Sequence, residues 1–128
     1  MTPRVIALGC RLLGSDLRVS SLEACSTLVL VTWPDRRIDR IVSIASRGCS
    51  SSLDKATQVR AQRPDLVIVS EIDPYSLVAL SAKGTEVRLV MDDARVEEAL
   101  DLYSNGEAKL ACNAIGPTGA QVARRSWA

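Results

Sequence analysis

The sequence predicts an α/β domain: a mixed five-stranded sheet with three helices, in the order β-β-β-α-β-α-β-α. Three observations carry this. An apolar run at residues 4–9 and two β-branched runs at 27–33 and 38–45 appear before any helical period. Beyond Ser52, strand-like and helix-like segments alternate, which is the mark of parallel strands joined by crossover helices. The chain has 128 residues, 47% of them hydrophobic, enough for one core. With no Phe, two Trp and two Tyr, that core is aliphatic.

Taken in order, Arg4-Val5-Ile6-Ala7-Leu8-Gly9 reads as a buried strand. Residues 11–23 read as a loop, because Gly14-Ser15-Asp16 and Ser20-Ser21 are turn signals. The second strand is Thr27-Leu28-Val29-Leu30-Val31-Thr32-Trp33, and Pro34-Asp35-Arg36-Arg37 turns the chain. The third strand, residues 38–45, follows at once, so it pairs antiparallel with the second.

Leu53, Ala56, Val59 and Ala61 then mark a helix that stops before Pro64. Residues 65–71 form a continuous apolar run, as a parallel strand covered on both faces requires. Asp73-Pro74 caps and starts the second helix, which runs to Lys83 and ends at Gly84. The last strand is 86–91. Asp92-Asp93 starts the third helix, whose buried face is Val96, Ala99, Leu100 and Tyr103, and Asn105-Gly106 ends it. The domain spans residues 1–110. Residues 111–128, broken by Gly116-Pro117-Thr118-Gly119, form a short basic tail that is only partly ordered.

Composition narrows the function. The net charge is +1 with both signs intermixed, which argues against a nucleic-acid-binding protein. No apolar run approaches the roughly 18 residues of a membrane span. Val5 to Gly9 before Cys10 is too short for a lipoprotein leader, and a cytoplasmic location is expected. The chain has no His, which removes His-based zinc sites and Ser-His or Cys-His catalysis. The first strand carries no carboxylate to hold a divalent metal, so a nuclease of this strand order is not expected, and the chain does not read as an enzyme.

The richest chemistry lies at Ser46-Arg47-Gly48-Cys49-Ser50-Ser51-Ser52, between the third strand and the first helix. Gly48 admits backbone angles closed to other residues, and the serines can cap the helix. Amides at a helix start attract anions, and a thiol there tends to ionise. The four cysteines, Cys10, Cys25, Cys49 and Cys112, include no C-x2-C pair and are expected to be reduced thiols.

The strand order resembles the ribonuclease-H-like fold. Val96-Glu97-Glu98-Ala99-Leu100 followed by Gly106, with Leu80, Lys83-Gly84 and Val87 before it, resembles the dinitrogenase iron-molybdenum cofactor biosynthesis family. Its members are small domains that carry or help build iron-sulfur and molybdenum clusters. The resemblance covers residues 4–110. It departs at Leu22-Glu23-Ala24, where the family has a Phe-Gly-Arg-like segment, and at Ile72-Asp73-Pro74, where the family has glycines.

Such a topology gathers the ends of the parallel strands at one edge, where ligands of open α/β sheets bind. Cys10, Cys25 and Cys49 are expected there, with Arg47, Gly48 and Ser50 beside them, as a thiolate site for an iron-sulfur or molybdenum-containing cluster. Arg11, Arg18 and Arg47 would offset the cluster's negative charge. Small cysteines packed in the core are the competing expectation. Asp73, Asp92 and Asp93 are read as helix-start acids rather than cation ligands. Arg36, Arg37 and Arg40 make a basic turn, either solvated or a dock for an acidic partner. Trp33 reads as a packing cap with no second aromatic near it.

The implied function is a non-enzymatic carrier or accessory protein that exchanges a cluster with a donor or acceptor protein, as a monomer or weak homodimer. The alternative is a protein-interaction module of the same fold that has lost its ligand.

Overall fold

The structure, a computed structural model, describes residues 3–45 and 51–111. Strands β1 (Val5–Leu13), β2 (Asp16–Val19), β3 (Thr27–Thr32) and β4 (Ile38–Ser43) come first. Helix α1 (Ser51–Ala61), β5 (Leu66–Val69), α2 (Pro74–Ser81), β6 (Glu86–Leu89), α3 (Val96–Ser104) and β7 (Lys109–Leu110) follow. The order across the sheet is β4-β3-β1-β5-β6-β7, with β2 paired to β1. β1, β5 and β6 are mutually parallel, whereas β3 runs antiparallel to both β1 and β4.

The alternation expected of the fold is present, but among the described residues the sheet has seven strands rather than five. The first addition lies where residues 11–23 were expected to be a loop. β1 continues to Leu13, turns at Gly14-Ser15 with Gly14 at φ 67°, and pairs back from Asp16 to Val19. Arg11 and Arg18 are direct partners in that hairpin and hide its strand period. The second addition is β7, two residues that pair with Arg88 and Leu89 of β6.

Period-2 alternation divides the sheet's side chains between two cores. Ala7, Leu28 and Leu30 pack with Ala56 and Val59 of α1 and with Leu77 and Leu80 of α2. Ile6, Leu8, Val29 and Val31 pack with Ala99 and Leu100 of α3 on the other face. β5 is buried along its whole length, as its unbroken Leu-Val-Ile-Val run requires.

Helix starts follow local chemistry. Asp73 Oδ2 accepts the Ser76 amide at 3.1 Å, and Pro74 needs no partner at the first helical position. The third helix departs from expectation. It starts at Val96, not at Asp92-Asp93, and Glu98 Oε1 accepts the Arg95 amide at 3.3 Å. Nor is Trp33 the lone aromatic of its surroundings. Its ring meets Tyr103 edge-on at 5.2 Å, with the Arg36 guanidinium 5.4 Å from its centroid.

Candidate functional site at the carboxyl edge of the sheet

The parallel strands β1, β5 and β6 point toward one edge. Beyond the end of β5 stands Ser70, and beyond β6 stand Asp92 and Asp93. Ser70 Oγ donates to Asp92 Oδ1 at 3.0 Å. Arg11 donates to Asp93 Oδ1 at 2.7 Å and to Asp92 Oδ2 at 3.4 Å. Arg18 donates to the Asp93 carbonyl at 3.1 Å. Two backbone bonds, Asp93 N–H to Val19 O and Val19 N–H to Ala94 O, each 2.8 Å, fix the β1–β2 hairpin to this segment.

Like charges directly opposed on neighbouring strands repel. Arg11 and Arg18 are tolerated because Asp93 takes both, one by its carboxylate and one by its carbonyl. The Asp93 hydrogen bond, with its charge and that of Asp92, raises the Arg11 pKa above its usual value. Asp92 and Asp93 are therefore ion-pair partners of the hairpin, where the sequence suggested helix-start acids. Only Asp73, of the three acids, caps a helix. Sequence reasoning placed Arg11 and Arg18 at this edge but missed Ser70, and it missed that the two acids follow a strand end rather than open a helix.

Cys10 and Cys25 both lie at this edge, where Ser26, next to Cys25 in the chain, donates its N–H to Cys10 O at 2.9 Å. Their side chains go opposite ways. Cys10 lies in the α3-side core and Cys25 in the α1/α2-side core, and each is fully buried. Burial pushes the Cys10 thiol up to about 12, with a smaller contribution from Cys25. Burial also pushes Cys25 up to about 11, against the charge of Lys55 and the Thr27 backbone hydrogen bond. Both are neutral near pH 7. Gly9 makes room for Cys25: a Cβ there would stand 3.6 Å from its Sγ and 2.8 Å from Val69 Cγ1.

Lys55, a nearly buried lysine that the sequence did not single out, donates its Nζ to the Glu23 carbonyl in this region. An apolar-faced helix gave no cue to it. The segment carrying Arg47, Gly48, Cys49 and Ser50 lies outside the described residues, as does Cys112. The chain leaves the described part from this same edge. Ile44 N–H donates to Ser26 O at 3.0 Å, and Gln58 of α1 grips Ala45 through its N–H and its carbonyl, at 3.2 and 2.6 Å. Among the described residues, no group of three Cys, Asp or Glu is placed to hold a metal ion. None of the described helices is long and apolar enough to cross a membrane.

The basic turn is also largely engaged. Arg36 pairs with Asp101, and Arg40 pairs with Asp39 at 2.9 Å and with the Gln62 side chain at 3.1 Å.

No known protein-family pattern matches the chain, and no curated protein does. Solved structures do match. The apo form of the orange protein from Desulfovibrio gigas superposes with a TM-score of 0.72 at 15% identity, covering 87% of this chain and 95% of that one. A protein of Methanocaldococcus jannaschii, provisionally named a dinitrogenase, gives 0.60 at 17% identity over 86% of this chain and 96% of its own. A Thermotoga protein, provisionally named NifB, gives 0.65 at 14% identity over 89% and 98%. At such identities the likeness is one of fold.

Proposed function

We propose that this chain is a non-enzymatic carrier or accessory protein for an iron-sulfur or molybdenum- and iron-containing cluster in metallocofactor assembly. The observation that carries the reading is the near full-length likeness of fold to the orange protein and to two proteins provisionally named a dinitrogenase and a NifB protein. Their common architecture supports the carboxyl edge as the place of the cargo, because parallel strands deliver loops and helix starts there.

The proposal rests ligation on Cys49, in the segment that follows Ala45. The carboxyl edge supplies cationic surroundings through Arg11 and Arg18, although Asp92 and Asp93 already offset part of that charge. Cys10 and Cys25 are assigned to the two cores, since a ligand must be a thiolate and open to the metal. A donor or acceptor protein delivers and removes the cargo.

Anaerobic incubation with iron and sulfide, with and without thiomolybdate, tests this. The parent should gain sulfur-to-metal charge-transfer absorption, and Cys49→Ala should lose it. Equal uptake by Cys49→Ala would remove the ligand assignment. The second reading, an interaction module without cargo, is favoured by the neutral, inward thiols of Cys10 and Cys25. A parent that stays colourless under every loading condition would support it.

A further inference from the structure

The opposite edge of the sheet holds a feature that cluster carriage does not use. α1 and α2 both end where β5 and β6 begin. Between them lies a concavity of about 690 Å³ lined by Thr57, Arg60, Arg63, Asp65, Lys83 and Thr85, among others. Asp65 is already committed: its Oδ2 accepts the Arg4 and Val5 amides at 2.9 and 3.0 Å. Thr85 is committed as well, donating to the Pro64 carbonyl at 3.3 Å.

The three cations are not. Arg60, Arg63 and Lys83 make no side-chain hydrogen bond or ion pair among the described residues. Arg11, Arg18, Arg36, Arg40 and Arg88 are all paired, whereas these three cations share one groove.

One role for such cations is to complement the negative ends of helices. That accounts for Arg60, which lies in the last turn of α1. It accounts less well for Arg63 and Lys83, which stand beyond the helix ends. Arg63 also has φ 54°, a left-handed conformation that glycine or asparagine takes at helix ends with less strain. An arginine held there, exposed and unpaired, is a backbone outlier of the kind that collects at functional positions.

We infer that this groove between the ends of α1 and α2 docks an acidic, extended segment of a partner protein. The groove is open and polar, whereas sites for small molecules are deeper and mostly apolar. Long cationic side chains on an open surface suit a run of carboxylates, with the charges steering encounter. Docking here would leave the carboxyl edge free. The inference does not depend on cluster carriage, and either can fail alone.

The test uses the isotopically labelled full chain titrated with a ten-residue glutamate peptide, followed by amide chemical shifts. Saturable shifts should centre on residues 57–65 and 83–86, and should vanish at about 0.5 M salt, where the Debye length falls to a few ångström. Binding should weaken at least tenfold in the Arg60→Gln, Arg63→Gly, Lys83→Gln triple variant and stay unchanged in Arg37→Gln. Arg63→Gly alone should weaken binding while raising the melting midpoint, a split that a purely structural role would not produce. The triple variant should take up cluster as the parent does. Shifts centred elsewhere, or equal affinity in a folded triple variant, would overturn the inference. So would inorganic triphosphate displacing the peptide at far lower concentration, which would make the ligand a small polyanion.

Discussion

The two edges of the sheet spend their charges differently. At the carboxyl edge, Arg11 and Arg18 are bound by Asp92, Asp93 and Asp16, and Ser70 completes the network. At the amino edge, Arg60, Arg63 and Lys83 line a groove and have no side-chain partner among the described residues. A pair between half-exposed groups is worth little for stability. The carboxyl network therefore acts mainly to set the position of the β1–β2 hairpin over the ends of β5 and β6. The charges at the other edge, without partners among the described residues, are the ones the docking inference uses. One edge is organised inwardly and the other outwardly.

The largest expected effect concerns the buried thiols of the carboxyl edge. Their folded pKa values, about 12 and about 11, lie above the ordinary 9.0. A group raised in the folded state contributes full stability below its unfolded pKa and loses it as pH climbs toward the folded value. Stability should fall as pH rises from 9 toward 11, with each thiol adding to the slope. Denaturant titrations of the parent, Cys10→Ala and Cys25→Ala should show that slope reduced in each variant. Equal slopes in all three would mean the thiols are not buried as described.

Packing at the same edge comes next. Gly9→Val places methyl groups where even a Cβ meets Val69 Cγ1 at 2.8 Å. A loss of about 3 kcal/mol in chemical denaturation is expected, the upper range of overpacking. A neutral result would show that β1 and β5 separate there without cost.

Asp93→Ala tests the inward network itself. Its ion pair with Arg11 is 37% and 40% exposed, so screening by solvent keeps the loss of stability small. Faster hydrogen exchange at Val19 and Asp93 should accompany it. Unchanged exchange would detach the network from the hairpin's position. Smallest of all, Arg63→Gly should gain about 0.5 kcal/mol, because relief of the left-handed strain slightly exceeds the entropy cost of glycine. A clear loss would place Arg63 in an internal role and blur the contrast between the edges.

Much of the architecture could be read from the chain. The Leu66–Val69 run is apolar without interruption, and no position but a covered strand suits it. Asp73-Pro74 announces α2 by capping chemistry alone. β2 was hidden because its outward partners, Arg11 and Arg18, replace the apolar alternation with charge. β7 is too short to show any period. Cys10 shares the parity of Ile6 and Leu8 on β1, so its face follows from the strand period. Cys25 precedes β3 in a turn, where no period assigns a face, and its placement beneath Gly9 is a tertiary outcome. Asp92-Asp93 misled because acids suit both a helix start and an arginine, and only the hairpin's approach decides between them.

The measurement that bears most directly on the account is native mass spectrometry of the full chain after anaerobic loading with iron, sulfide and thiomolybdate. The account predicts a mass increment of one cluster on the parent, kept by Cys10→Ala and Cys25→Ala and lost by Cys49→Ala. An unloaded parent, or a Cys49→Ala variant that carries the same increment, would contradict it.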